Sequence, residues 1–357
     1  MKKAVKVIVC LVLALVLIVI GYLAYVLIDY HRIGNEVIDR NPAIAEKAEV
    51  NKEYDMVSWN IGFGAYESDY GFFMDGGTES RARSKERLHS NMEKISSLLD
   101  EQEAQFLLLQ EVDTDATRTY HVDEYAMLKG RLREHNYDDL YVCNYDSPYL
   151  MYPLTRPHGK SVSGIATFSQ FGILSAERVE LPVEDSLMKL VDLDRCYAKS
   201  YIPVSDGREL VLFNVHLSAY TSDGAIATEQ LQMLLQDMQS EYEAGNYAVC
   251  GGDFNKDILG DSSVYFGKAD VAYNWAQPLP EGIFEGTNLT LIAPLNEEQP
   301  VPSCRNADGP YHAGQFVLTV DGFIVSDNVS VSMTEVIDTG FAYSDHNPVH
   351  MSFKLAE

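Results

Sequence analysis

Five short apolar runs in this 357-residue chain end on polar or charged side chains, and no other feature constrains its fold as tightly. Met56–Trp59 runs into Asn60, and Phe106–Leu109 into Gln110 and Glu111. Leu210–Phe213 runs into Asn214 and His216, and Tyr247–Cys250 passes through two glycines into Asp253 and Asn255. Phe316–Val320 runs into Asp321. Each run has the length of a strand and leaves no polar face for water, so it reads as a strand covered on both sides. Such a strand tolerates a carboxylate or an imidazole only at its end. Five ends of this kind would gather Asn60, Glu111, His216, Asp253, Asn255 and Asp321 on one rim. Carboxylates crowded together repel unless a cation holds them. Oxygen donors without thiolate favour a hard ion: Mg2+, with Mn2+ or Ca2+ as alternatives.

Two amphipathic helices accompany the strands. Ser84–Asp100 carries Leu88, Met92, Ile95 and Leu99 on one stripe, with Ser84 as N-cap. Ala225–Glu243 carries Ile226, Leu231, Leu234, Leu235, Met238 and Tyr242 inward and stops at Gly245. Ahead of this globule, Val7–Ile28 holds no charge and is long enough to cross a hydrocarbon core of ~30 Å. Lys2, Lys3 and Lys6 precede it, which predicts a cytoplasmic N-terminus and a catalytic domain outside the membrane. No small-x-small cleavage pattern occurs in Tyr22–Val26, so an uncleaved signal anchor is favoured over a signal peptide. The expected organisation is an anchor over 1–28, a polar linker over 29–52 and a catalytic domain over 53–357. We expect that domain to be monomeric.

Charge narrows the partners. Acidic residues outnumber basic ones 53 to 27, a formal charge of −26, and the part beyond the anchor is more negative still. Tight, nonspecific nucleic-acid binding is therefore disfavoured, although bound cations could reverse the local sign. Cys143, Cys196, Cys250 and Cys304 show neither C-x-x-C nor zinc-site spacing. Their spacing allows one or two disulfides without requiring any, and Cys250, inside an apolar run, reads as a buried free thiol.

Two motifs carry chemistry. In Gly251-Gly252-Asp253-Phe254-Asn255, strand periodicity places Asp253 and Asn255 on one side and Phe254 in the core, with an Asx turn as the competing reading. In Ser344-Asp345-His346-Asn347-Pro348 a carboxylate neighbours an imidazole, a pairing suited to general-base or transition-state work. Together with Ser58-Trp59-Asn60, Gln110-Glu111, Asn214-Val215-His216-Leu217 and Val320-Asp321-Gly322, these stretches stand in one order over Ser58–Pro348. In that order the chain resembles the endonuclease/exonuclease/phosphatase superfamily, which includes deoxyribonucleases and neutral sphingomyelinases, and in particular a membrane-anchored bacterial member.

The resemblance implies a four-layered α/β sandwich, two mixed β-sheets face to face with helices outside, behind one transmembrane helix. It implies Asn60, Glu111 and Asp345 as metal ligands. Asp253 and Asn255 would orient or deprotonate the attacking water, His216 and His346 would bind phosphoryl oxygens, and Asp321 would orient a histidine. Whether Asp253 or His346 is the base stays open, as does the choice among Tyr120, Tyr141, Tyr145 and Tyr149 for the family's tyrosine. An aromatic, glycine-rich insertion at Gly71–Gly77 suggests a structured lid. Arg118, Lys160 and Arg305 are candidate substrate-binding cations, with surface ion pairs as the alternative. The implied activity is Mg2+-dependent hydrolysis of phosphate esters on a small phosphorylated molecule or a lipid headgroup. A nonspecific endonuclease or a sphingomyelinase-like phospholipase C is the alternative, and a catalytically silent binding module ranks below both.

Overall fold

The computed structural model describes residues 2–184, 193–219, 225–267 and 275–357. In chain order the strands are β1 (Glu36–Asp39), β2 (Glu53–Asn60), β3 (Phe106–Ala116), β4 (Asp138–Asp146), β5 (Ser161–Ser169), β6 (Ser175–Glu180), β7 (Cys196–Pro203) and β8 (Glu209–His216). There follow β9 (Tyr247–Asp253), β10 (Leu289–Ile292), β11 (Cys304–Arg305), β12 (Val317–Leu318), β13 (Asp321–Ser326), β14 (Val329–Val336) and β15 (Val349–Leu355). The helices are α1 (Lys2–Asp29), α2 (Lys85–Glu101), α3 (Glu124–Leu132), α4 (Ala225–Glu243) and the single turn α5 (Ser263–Phe266).

One sheet runs β1-β6-β7-β8-β9-β13-β10 and the other β14-β15-β2-β3-β5-β4. Each is mixed, with one parallel pair at its centre, β8–β9 in the first and β2–β3 in the second. Strand alternation divides the apolar residues between layers. Met56, Leu108, Leu212, Val249, Phe323 and Met351 meet between the sheets. Val57, Trp59, Leu107 and Leu109 face outward against Leu88, Met92 and Ile95 of α2. Val211, Phe213 and Cys250 face outward against Leu231, Leu234 and Met238 of α4. The result is a four-layered α/β sandwich, and it explains why the central strands read as unbroken apolar runs: both faces are covered. Helix α2 begins where expected, with the Ser84 hydroxyl oxygen accepting the Arg87 N–H at 3.1 Å.

Three local expectations change. Phe316–Val320 is not one strand entering Asp321. Val317–Leu318 forms a two-residue pairing with Cys304–Arg305, and Asp321 opens β13 instead of closing a strand. Because β13 is antiparallel to β9, with Asp321 opposite Asp253, its first residue reaches the rim where β9 ends. The Asx turn prevails after β9: the strand stops at Asp253 and Asn255 follows at φ 50°. Residues 29–52, expected as a linker, lie along the domain. There β1 pairs with β6, Ala48 bridges to Val204, and the buried Arg178 donates to the carbonyls of Ile33 and Gly34 at 2.6 and 2.9 Å. All five cysteines are free thiols.

Candidate active site

The rim is set by register. In the parallel pairs, Asn60 lies opposite Gln110 and His216 opposite Asp253, and the bond from Asn60 to Asp253 brings the ends of both pairs to one rim. Two amides fasten one sheet to the other just beneath. Gln110 Nε2 donates to Asn214 Oδ1 at 2.8 Å, while Asn214 Nδ2 donates to the carbonyl of Ala166 at 2.9 Å. Gly252 allows the close approach of β8 and β9, since a Cβ there would stand 2.1 Å from the Val215 carbonyl oxygen.

Above these fastenings the predicted side chains converge. Asn60 Nδ2 donates to Glu111 Oε1 at 3.1 Å and to Asp253 Oδ2 at 3.0 Å. Glu111 sits at φ 55° in the irregular middle of β3, a left-handed conformation that turns its side chain out of the strand's alternation. Asp253 Oδ2 lies 3.6 Å from His216 Nε2 and 3.8 Å from His346 Nε2. His346 Nδ1 is 2.8 Å from Asp321 Oδ2, which also accepts the Ser303 hydroxyl at 2.7 Å. Asp253 Oδ1 accepts the Asn255 backbone N–H at 2.8 Å, and the Asn255 side-chain amide donates to the Leu217 carbonyl. Asp345 stands against the glycine turn after Asn60, 3.1 Å from where a Gly62 Cβ would be.

Burial splits the two histidines. His216 is pushed well below the usual range by burial and by the Arg195 guanidinium beside it, so its imidazole is neutral. Burial also opposes charge on His346, but Asp321, Cys304 and Asp253 outweigh it and hold the imidazole well above its usual range, as a cation. Burial pushes Asp253 up to about 7, with Asp321 adding to the shift and His346 opposing it. Asp345 also rises to about 7, through burial and the nearby Glu111 charge.

Carboxylates held at such values are short of positive charge, which is the condition a divalent cation relieves. The donors around Glu111, Asp345 and Asn60 are all oxygens or amides, matching a hard ion. Asp253, Asp321 and His346 also present ligand atoms within 4.8 Å of one another and could hold an ion. There, however, His346 Nδ1 is already bonded to Asp321 and the neighbouring carboxylates stabilise its charged form, which favours the Glu111 side.

The three predicted substrate cations fare differently. Arg118 forms a two-point ion pair with Asp113, at 2.9 and 2.8 Å, and stacks over the Phe63 ring at 3.9 Å. The Lys160 ammonium pairs with Asp146 at 3.2 Å. Arg305 is buried and donates to the carbonyls of Tyr66, Glu67, Tyr70, Asn306 and Gly309. It clasps the segment before the aromatic insertion to the body of the domain, while Lys160 makes a partly exposed ion pair and the pair of Arg118 with Asp113 is buried rather than on the surface.

Sequence reasoning passed over Lys256, directly after Asn255. It is buried, has no hydrogen-bonding or ion-pair partner among the described residues, and is lowered in pKa by burial alone. It lines a cavity of about 400 Å3 with Thr228, Glu229, Gln232, Gln277 and Pro278. Its adjacency to the Gly-Asp-Phe-Asn stretch was the available signal. Among the four tyrosines, Tyr120 donates to the Ala82 carbonyl, Tyr141 approaches Thr114 and Tyr149 lies by α1. Tyr145, buried, contributes to the electrostatics of Arg118 together with Glu111.

A sequence profile of the Endonuclease/Exonuclease/phosphatase family matches residues 57–346. No curated protein matches the sequence. Among solved structures, an endonuclease/exonuclease/phosphatase from Beutenbergia cavernae DSM 12333 superposes with a TM-score of 0.59 at 16% identity, over 86% of this chain and 72% of that one. ANGEL2, a 2',3'-cyclic phosphatase, gives 0.57 at 17% identity, over 91% of this chain and 99% of its own. The human Nocturnin catalytic domain, solved with a bound sulfate anion, gives 0.54 at 17% identity, over 90% and 97%. At these identities the structural likeness is one of fold.

Proposed function

This chain belongs to the Endonuclease/Exonuclease/phosphatase family, and from that premise we propose that it is a Mg2+-dependent hydrolase of phosphate esters, held by α1 at the outer face of the cytoplasmic membrane. The observation that carries the reading is the convergence of Asn60, Glu111, Asp253, His216 and His346 within hydrogen-bonding or near-contact distance of shared partners. Glu111, Asp345 and Asn60 would hold the cation. When bound, it would neutralise the crowded carboxylates and polarise a phosphoryl oxygen.

The protein's own groups divide the remaining work. Asp321, 2.8 Å from His346 Nδ1, favours the charged form of that imidazole, so the role of taking a proton from water is assigned to Asp253. As a cation, His346 instead presents positive charge where the phosphoryl group becomes more anionic in the transition state. Neutral His216, with Nε2 3.6 Å from the same Asp253 oxygen, would donate a hydrogen bond to a phosphoryl oxygen. The Asn255 backbone fixes the Asp253 carboxylate in orientation. Lys256 supplies the unpaired cation for a second anionic group on the substrate, the part expected of Arg118, Lys160 or Arg305.

The acidic surface and the apolar α1 favour a small or membrane-borne ester over a polynucleotide. A substrate panel tests the proposal on full-length protein in detergent with Mg2+, against a Glu111→Gln control. The panel contains phosphomonoesters, phosphodiesters, headgroup esters, a 2',3'-cyclic phosphate and DNA. Turnover of at least one small or lipid ester, lost in Glu111→Gln, is expected. No turnover of any ester would defeat the proposal, and DNA as the preferred substrate would replace it with the endonuclease reading.

A further inference from the structure

The strand order fixes which loop stands beside the candidate site. Strand β4 is antiparallel to β5, and β5 to β3, so β4 ends on the rim where the polar end of β3 lies. The loop leaving that end, residues 147–160, carries Met151, Tyr152 and Leu154, and the last two are 68% and 78% exposed. Tyr152 packs against Phe73 at a ring separation of 5.6 Å, and Met74, next to Phe73 in the chain, is also exposed.

The loop is bonded to α1. Tyr22 donates its hydroxyl to the Tyr149 carbonyl at 3.1 Å and accepts the Met151 N–H at 3.3 Å, and Tyr25 accepts the Tyr149 N–H at 2.9 Å. These tyrosines lie seven and four residues before the polar end of the helix at Asp29. At 1.5 Å per residue they sit about 10 and 6 Å inside that end. That is the depth at which an apolar surface buries in the boundary between headgroups and acyl chains, and the level where tyrosine collects. Next to it, Asp146 at the end of β4 stands 3.6 Å from His31 and 3.2 Å from Lys160, a polar belt immediately outside the apolar one.

Resting on the reading of α1 as a membrane anchor, we propose that the loop at 149–154, with Met74, is a second membrane contact seated in the lipid boundary. The candidate site then opens toward the bilayer, and its substrate is a phosphate ester in the headgroup of a lipid of the same leaflet. The patch needs no protein partner, because the helix beside it already sets its depth.

Full-length protein in liposomes of phosphatidylcholine and phosphatidylglycerol provides the test. In Leu154→Trp, brominated acyl chains should quench the added tryptophan emission by about half relative to unbrominated liposomes, beyond any change in wild type. Added emission that bromine leaves untouched overturns the membrane contact. In the double variant Tyr152→Ser/Leu154→Ser, release of headgroup phosphate from the liposomes should fall at least fivefold, while hydrolysis of water-soluble bis(4-nitrophenyl) phosphate stays unchanged. An equal fall for both substrates, or none for the lipid, overturns the substrate assignment. If wild type hydrolyses neither ester, the lipid-substrate assignment is overturned, while the hydrolase reading stands or falls on the wider panel and quenching still decides where the loop lies.

Discussion

Asp321 is proposed to act through His346 and not on the substrate itself. Its carboxylate at 2.8 Å holds the His346 Nδ1 proton and sustains the charge on the ring. Asp321→Asn should lower kcat about 100-fold with KM little changed, because general acid–base and charge-stabilising roles fail while binding persists. Steady-state kinetics on the best substrate would check the split. Asp253 and Asp345, both near 7, yield a second expectation. A folded-state pKa raised above the unfolded value contributes stability below the unfolded pKa, and that contribution is lost as pH rises toward 7. The metal-free protein should therefore lose stability between about pH 4 and pH 7 from these groups. A divalent cation held by Asp345 needs that carboxylate ionised, so Mg2+ should raise Tm more at pH 8 than at pH 5. Scanning calorimetry with Mg2+ or EDTA at both values would show it.

At the level of elements, the geometry rests on one missing side chain. Gly252→Ala would drive a methyl group to 2.1 Å from the Val215 carbonyl, which is backbone and cannot step aside. The expected cost is at least about 3 kcal/mol, seen as a large fall in Tm or loss of soluble protein. Arg305→Ala should act on structure too, releasing five carbonyls around the insertion and opening residues 66–83 to protease. A rise in KM with unchanged protease resistance would return Arg305 to substrate binding. These cases mark what the sequence could reveal. Runs such as Phe106–Leu109 announced covered strands because burial on both faces leaves no room for polar residues. Asn60 and Asp253 were legible because a buried strand keeps such groups at its ends, whereas Glu111 lies at an irregularity in the middle of β3, which runs on to Ala116 where the sequence suggested an end. The destinations of Arg118 and Arg305 were not legible, since a guanidinium looks the same in sequence whether it meets phosphate, Asp113 or a ring of carbonyls. Phe316–Val320 misled for a related reason: apolar content does not say on which side of a turn a strand begins.

At the scale of the whole molecule, the strip between α1 and the sandwich is part of the body. Arg178, buried, reaches the carbonyls of Ile33, Gly34, Cys143 and Asp194, joining this strip to both sheets. Arg178→Met should free residues 30–40 for proteolytic cleavage while the remaining domain stays protected, a result readable by mass spectrometry of the fragments. Unchanged protection would mean that the pairing of β1 with β6 suffices alone. The amides that cross between the sheets, Gln110 and Asn214, matter beyond this chain. Anyone transplanting the pocket onto another scaffold would be tempted to copy only the groups that meet phosphate. Such a graft would place Glu111 and His216 on two walls free to drift apart, so the buried crossbeam beneath them has to travel too.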